Sequence, residues 1–236
     1  SAFIATISKG GMLALLFRLF SIIDGYRFYE LILIFSIIAI ASMFIGNWLA
    51  LLQNNVKRIL AYSSIVHLGY LTVAFLAGGK FAAEAIAFYL VAYFITMIGA
   101  FGVVAILSNK EREAFRIEDF KGLYWRHPWL AATFTAMLFS LAGIPLTAGF
   151  IGKFYVLSAG VDKTLWALVI ILAINSAIGL FYYLRIVVEM FTKSEAEKTN
   201  VKFSLVTSVA LTVLTVLLIY LGVFPSALIR IIQIML

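Results

Sequence analysis

The chain alternates between long apolar runs and short polar segments. Seven runs stand out: Phe3–Phe20, Phe28–Leu52, Ile59–Ala77, Ala82–Leu107, Trp129–Gly160, Leu165–Met190 and Phe203–Phe224. Each reaches the roughly 17–25 residues that cross about 30 Å of hydrocarbon as helix. Helix is the expected form because lipid offers no partner for a free backbone N–H or C=O. The pattern therefore predicts an all-α polytopic membrane protein of about seven transmembrane helices. They form a single transmembrane domain over residues 1–236, with a connecting loop at 108–127.

The fifth run is too long for one crossing. Trp129 to Gly160 is 32 residues, or roughly 48 Å of continuous helix at 1.5 Å per residue. Pro145 lacks an N–H and its ring meets the carbonyl of Leu141, while Gly143 and Gly149 loosen the backbone nearby. The expected result is two half-helices, about Trp129–Ala142 and Thr147–Gly160, meeting near mid-membrane. The first ends in free carbonyls and the second begins with free N–H groups. Such ends are tolerated only where protein or a water-filled cavity surrounds them.

Loop charges alternate in the same rhythm. Lys57, Arg58, Lys110, Arg112, Arg116, Lys121, Arg126, Lys193, Lys198 and Lys202 fall on one side; Arg27, Lys80, Lys163 and Arg230 fall on the other. The positive-inside rule assigns the richer set to the cytoplasm, so the N-terminal end is expected inside and the C-terminus outside. The net charge of +7 is thereby a topology signal and not a nucleic-acid patch, since it is divided among short loops. The 108–127 loop also carries Glu111, Glu113, Glu118 and Asp119. It reads equally as a solvated amphipathic connector and as a subunit contact.

Composition narrows the chemistry. Hydrophobic residues make up 64% and charged residues 12%, about half the charged share of a soluble domain. The chain has no cysteine, which excludes an iron–sulfur cluster held by it, disulfide scaffolding and cysteine catalysis. With two histidines and no cysteine, a metal site is not expected. Ser1 has no initiator methionine before it, and the first apolar run begins almost at once, so a fragment of a longer protein is expected.

A few ionisable residues interrupt the apolar runs. Lys153 lies well inside the fifth, between Gly149 and Gly152 on one side and Phe154 on the other. A lysine at the bilayer centre costs about 2.5–3.5 kcal/mol on insertion scales, so such residues are functional by default. The alternative is snorkelling, which needs a helix end within reach. A lysine, unlike an arginine, can gain and lose a proton in this setting. Lys9 stands near the middle of the first run beside Gly10 and Gly11, with snorkelling again the alternative. His67 shares a helical stripe with Ser63 and Tyr70. It is either a structural histidine hydrogen-bonded between helices or a proton relay, since an imidazole titrates at about 6.5.

The remaining polar residues read as structural. Arg18 and Arg185 are expected as interfacial anchors, with Arg185 and Glu189 spaced to pair. Glu30 and Glu84 sit near outer helix ends, and Asn175 and Ser176 suggest interhelical hydrogen bonds. Lys9, His67 and Lys153 thus place three titratable groups near mid-depth on three helices. Packed helices are about 8–10 Å apart, so proton transfer among them requires intervening water.

Three segments resemble the antiporter-like membrane subunits of complex I, the NADH:quinone oxidoreductase. They are Gln53-Asn-Asn-Val-Lys-Arg-Ile-Leu-Ala-Tyr-Ser-Ser64 with His67-Leu-Gly-Tyr70, Arg126-His-Pro-Trp-Leu-Ala131, and Ser140-Leu-Ala-Gly-Ile-Pro-Leu-Thr-Ala-Gly-Phe-Ile-Gly-Lys-Phe154. The resemblance covers essentially the whole chain, and the third motif is highly specific. It is greatest to the N-type subunits, because Glu84–Val104 carries no lysine or histidine. It implies fourteen helices built from two inverted five-helix repeats, of which this chain supplies the last seven: the C-terminal half of an antiporter-like proton-translocating subunit.

By the same resemblance, Lys153 corresponds to the broken-helix lysine of the second half-channel. Lys9 corresponds to the lysine linking the halves, and His67 lies on the hydrophilic axis. The glutamate–lysine pair of the first half-channel has no counterpart here. The resemblance implies a subunit of a bacterial inner-membrane NADH:quinone oxidoreductase, assembled with other membrane subunits and moving protons while partners do the redox chemistry. No cofactor is expected on this chain; NADH, FMN, Fe–S clusters and quinone belong to partner subunits. The alternatives are a homologous subunit of a cation/proton antiporter or membrane-bound hydrogenase, and a structural scaffold whose lysines only pair with neighbours.

Overall fold

The computed structural model describes residues 2–108, 115–193 and 204–236, with side chains from Ser8 onward. The loop charges Lys110, Glu111, Arg112 and Glu113, and the basic residues Lys198 and Lys202, lie outside the described residues. Ten α-helices follow in order: α1 (Ala2–Ile22), α2 (Tyr29–Leu51), α3 (Val56–Ala77), α4 (Gly79–Leu107), α5 (Leu123–Arg126), α6 (Pro128–Ala142), α7 (Ala148–Asp162), α8 (Trp166–Phe191), α9 (Leu205–Val223) and α10 (Ser226–Met235). Short 3-10 turns cover Gly25–Arg27 and Ile117–Phe120. The all-α expectation holds, and α2, α3, α4, α8 and α9 are each long and apolar enough to cross a membrane. The fifth run is broken where expected, into α6 and α7.

Burial identifies the axis of the bundle. In α3, 78% of the apolar window is buried, against 22% in α2 and in α9. α3 is therefore the central helix, packed by α1, α2, α4, α7 and α8. Its tightest neighbour is α2, because glycines occupy the crossing. A Cβ on Gly69 would lie 2.8 Å from Met43 Cγ and 2.9 Å from the Ala39 carbonyl oxygen. Small residues let membrane helices approach this closely and gain dispersion energy that lipid cannot match.

The loops meet at the two ends of the bundle. At one end the Val56 N–H donates to the Phe115 carbonyl at 2.6 Å, and the Ile117 N–H to the Asn54 carbonyl at 2.9 Å. The Gly122 N–H reaches the Glu189 carbonyl at 3.2 Å, and Trp125 Nε1 the Phe191 carbonyl at 3.1 Å. This gathers the α2–α3 turn, residues 115–127 and the end of α8 on one face, the face that carries the basic loop residues. Ile117, Phe120 and Leu123 are buried, with Phe120 stacked on Phe134 at 5.4 Å. The described part of the 108–127 loop is thus amphipathic, anchored by these apolar residues while Arg116, Glu118 and Lys121 are exposed.

Two further features concern the ends. Arg185 lies at the loop end of the bundle, where its guanidinium donates to the Gln53 carbonyl of the α2–α3 turn. At the opposite end, α10 had no counterpart among the expected spans. Its ten residues are too few to cross lipid. It packs against α4 with Ile232 buried, and Gln233 Nε2 donates to Glu84 Oε2 at 3.0 Å.

Candidate functional site

The break in the fifth run makes a place for a cation. α6 ends at Gly143, which adopts φ 83, ψ 43 in the left-handed region where glycine has no steric penalty. The N–H groups of Gly143 and Ile144 both return to the Phe139 carbonyl at 2.9 Å, closing the helix. In a continuous helix, residues 145 and 146 would satisfy the carbonyls of Leu141 and Ala142. Pro145 has no N–H, and Leu146 turns away at φ 72. Two carbonyls are left facing inward at the negative end of α6.

Lys153 fills that place. Its Nζ donates to the Leu141 carbonyl at 2.8 Å, the Ala142 carbonyl at 2.8 Å and Ser176 Oγ at 2.9 Å. An ammonium has three N–H donors, so all three are used. The residue is only 7% exposed, which rules out snorkelling. Each of the three partners is a neutral dipole. The aromatic face of Tyr70 adds a fourth contact, its ring centroid 5.4 Å from Nζ.

α7 starts just beyond the break. Thr147 is its N-cap and its Oγ1 accepts from the Phe150 N–H at 3.4 Å. Ser140 on α6 accepts from the Gly149 N–H at 3.1 Å and hydrogen-bonds Thr96 of α4 at 3.1 Å. One hydroxyl therefore ties the two half-helices to each other and to α4.

His67 sits on α3, 4% exposed, between two tyrosine hydroxyls. Nδ1 is 2.6 Å from Tyr89 and Nε2 is 3.2 Å from Tyr183. A neutral imidazole has one donor and one acceptor nitrogen, and both are engaged here. Lys9, half-buried on α1, donates to Ser64 Oγ at 2.6 Å and the Ser64 carbonyl at 3.1 Å. All three titratable groups thus converge on α3. Lys9 meets Ser64, His67 follows three residues later, and Tyr70 three beyond that lies against His67 at 5.5 Å as well as under Lys153.

Between the histidine and the break is a cavity of about 10 Å³, lined by His67, Tyr89, Tyr93, Thr96, Ser140 and Gly149, among others. That is space for about one water molecule with polar partners on both sides. A larger cavity of about 420 Å³ opens beside Lys153 between Gly143, Pro145, Phe154 and Ala177. Among the described residues no group of His, Asp or Glu side chains is placed to hold a metal ion.

Asn175 makes the interhelical bond expected of it, with Asn47 of α2, and Ser176 serves the lysine. Sequence reasoning did not single out Asn47, Ser64, Tyr89 or Tyr183. The only available signal was polar atoms within apolar spans, and tyrosine hides it because its ring reads as apolar.

The profile of the family described as NADH:quinone oxidoreductase/Mrp antiporter, transmembrane region, matches residues 1–179. The chain belongs to this family. Family members with similar sequence include the NADH-quinone oxidoreductase subunit N of Nitrosospira multiformis, 50% identical over 252 residues covering 99% of this chain and 50% of the relative. The subunit N of Ectopseudomonas mendocina is 45% identical over 239 residues, covering 99% and 48%. The chain spans about half the length of these relatives. Among solved structures, a chain of respiratory complex I from Thermus thermophilus with bound aureothin superposes with TM-score 0.75 at 31% identity, over 83% of this chain and 44% of that one. A chain of the Mrp complex from a Dietzia species shares the fold, with TM-score 0.85 at 20% identity over 98% and 51%.

Proposed function

We propose that this chain is the second-repeat portion of an N-type antiporter-like subunit in a bacterial NADH:quinone oxidoreductase, carrying protons through Lys9, His67 and Lys153. The observation that carries the reading is the seat of Lys153: a buried ammonium held by the two carbonyls that a helix break frees. Burying such a group is costly, and neutral packing would be cheaper. Its neutral partners hold the charge only while all three hydrogen bonds last. A change in hydration or in a neighbouring subunit that breaks them sends the proton on.

The route runs along α3. Ser64 receives from Lys9, the His67 imidazole exchanges protons with Tyr89 and Tyr183, and the water-sized cavity joins that cluster to the Ser140 side of the break. The basic loops gathered at one end support a cytoplasmic orientation for that face, with the N-terminal end of α1 on the same side. NADH, FMN, Fe–S clusters and quinone are assigned to partner subunits, and this chain contributes one part of the proton path and no redox chemistry.

The test is Lys153→Ala in the chromosomal protein, assayed in inverted membrane vesicles for NADH-driven quinone reduction and proton uptake. The expected result is an assembled complex whose two activities fall together by about tenfold or more. Wild-type turnover and uptake would make Lys153 structural. Loss of assembly with normal activity in the complexes that form would favour the scaffold reading.

A further inference from the structure

A second polar node lies one helix face away from the lysine, and the path described above does not use it. Asn47 of α2 is 2% exposed and Asn175 of α8 is fully buried. The Asn47 amide donates from Nδ2 to both the Asn175 carbonyl and Asn175 Oδ1, each at 2.9 Å. Its Oδ1 accepts from the Tyr182 hydroxyl at 3.0 Å. Residues 175 and 182 are seven apart, two turns along one face of α8. A single side chain therefore grips α8 at two levels, once through its backbone.

Such a grip fixes rotation. The residue after Asn175 is Ser176, whose hydroxyl is 2.9 Å from Lys153 Nζ. Turning α8 by about 20° would carry a side-chain atom ~6 Å from the axis through roughly 2 Å, enough to break that bond. α2 in turn is locked to α3 beside Asn47: a Cβ on Gly46 would lie 2.8 Å from Val66 Cγ2. Asn47 thus joins the α2–α3 pair, which bears His67, to the helix that presents the acceptor for Lys153.

We propose that Asn47 is a positioning residue for the Lys153 seat, acting through Ser176 by holding the rotation of α8. The inference rests on the proton-carrying role proposed above. It predicts that Asn47→Leu, which keeps the number of side-chain heavy atoms and removes the hydrogen bonds, behaves as a partial Ser176→Ala.

The test compares Asn47→Leu, Ser176→Ala and their double variant in the assembled complex in inverted vesicles, measuring proton uptake across pH. Each single variant is expected to lose about threefold to tenfold in uptake, the worth of one hydrogen bond. Their pH profiles are displaced in the same sense, and the double variant falls no further than Ser176→Ala, since both act on one contact. Full additivity, or an Asn47→Leu profile unmoved in pH, would overturn the inference. If Asn47→Leu does not assemble, Tyr182→Phe removes one grip without changing volume and should give a smaller displacement in the same sense. Failure of both to assemble would assign the node to the fold alone and also overturns it. Wild-type behaviour of both Lys153→Ala and Ser176→Ala would instead sink the proposed function. An altered Ser176→Ala beside an unaltered Asn47→Leu removes only the role of Asn47.

Discussion

Gly143 is pressed against the stem of Lys153: a Cβ at 143 would lie 2.8 Å from the lysine Cδ and 3.1 Å from Nζ. The residue that ends α6 and the residue that caps it are fitted to each other. Gly143→Ala would add strain at φ 83, about 1–2 kcal/mol for a left-handed residue, and would push the ammonium off its carbonyls. The expected outcome in vesicles is an assembled complex with proton uptake reduced severalfold. Unchanged uptake would show that the lysine stem has slack.

The two tyrosines on His67 are not equivalent. Tyr89 is at 2.6 Å and Tyr183 at 3.2 Å, and the shorter bond also borders the water-sized cavity. Tyr89→Phe should therefore lower proton uptake more than Tyr183→Phe, with His67→Met at least as low as either. Wild-type uptake in His67→Met would remove the histidine from the route.

Ser64→Ala should weaken the seat of Lys9 without abolishing it, because the Ser64 carbonyl remains at 3.1 Å. Hydrogen bonds to charged groups are worth about 1.5–3 kcal/mol, and the surviving acceptor recovers part of that. Uptake should fall less than in Lys9→Met. The reverse order, measured at matched complex content, would contradict this assignment.

Gly69→Ala tests packing alone. The added methyl would meet Met43 Cγ at 2.8 Å and the Ala39 carbonyl at 2.9 Å, so α2 and α3 must separate. Overpacking of this kind costs about 1–3 kcal/mol. A lower thermal unfolding midpoint in detergent, with the complex partly lost from membranes, is the expected result.

Tyr26, in the turn between α1 and α2, links stability to pH. Its ring packs among Phe17, Phe20 and Phe75, and its buried hydroxyl has no hydrogen-bond partner among the described residues. Burial pushes the phenol up to about 12 from 10.0. A raised value means that the folded state holds the proton more firmly than the unfolded chain. The associated stability is complete below pH 10 and is lost as pH rises toward about 12. Wild-type protein should lose thermal stability over that window more steeply than Tyr26→Phe, read by melting in detergent.

The break was legible because proline and glycine act on the backbone itself. Pro145 removes one specific N–H and Gly143 permits one specific φ, so both half-helices fell within two residues of expectation. Lys153, Lys9 and His67 were legible because charge in an apolar run is costly and conspicuous. What they touch was not. Ser64, the partner of Lys9, lies one position beyond Ser63 of the expected stripe, and one residue's difference is a rotation of about 100°. Residues 115–127 read equally as a solvated amphipathic connector and as a subunit contact, because polar residues outnumber the three buried anchors and do not show what they pack against. α10 was missed because a ten-residue amphipathic helix gives too short a signal against neighbouring spans.

The freed carbonyls of Leu141 and Ala142 have a consequence for the proposed proton transfer. Lys153 supplies the last turn of α6 with the donors that the backbone withholds, so the side chain is in effect a removable piece of secondary structure. When it departs, two carbonyls must be solvated at the same moment, and when it returns that water must leave. In the proton path proposed above, discharge of the lysine and wetting of the helix end would therefore be one event, and anything that dries or floods this joint would throttle transfer without touching an ionisable group.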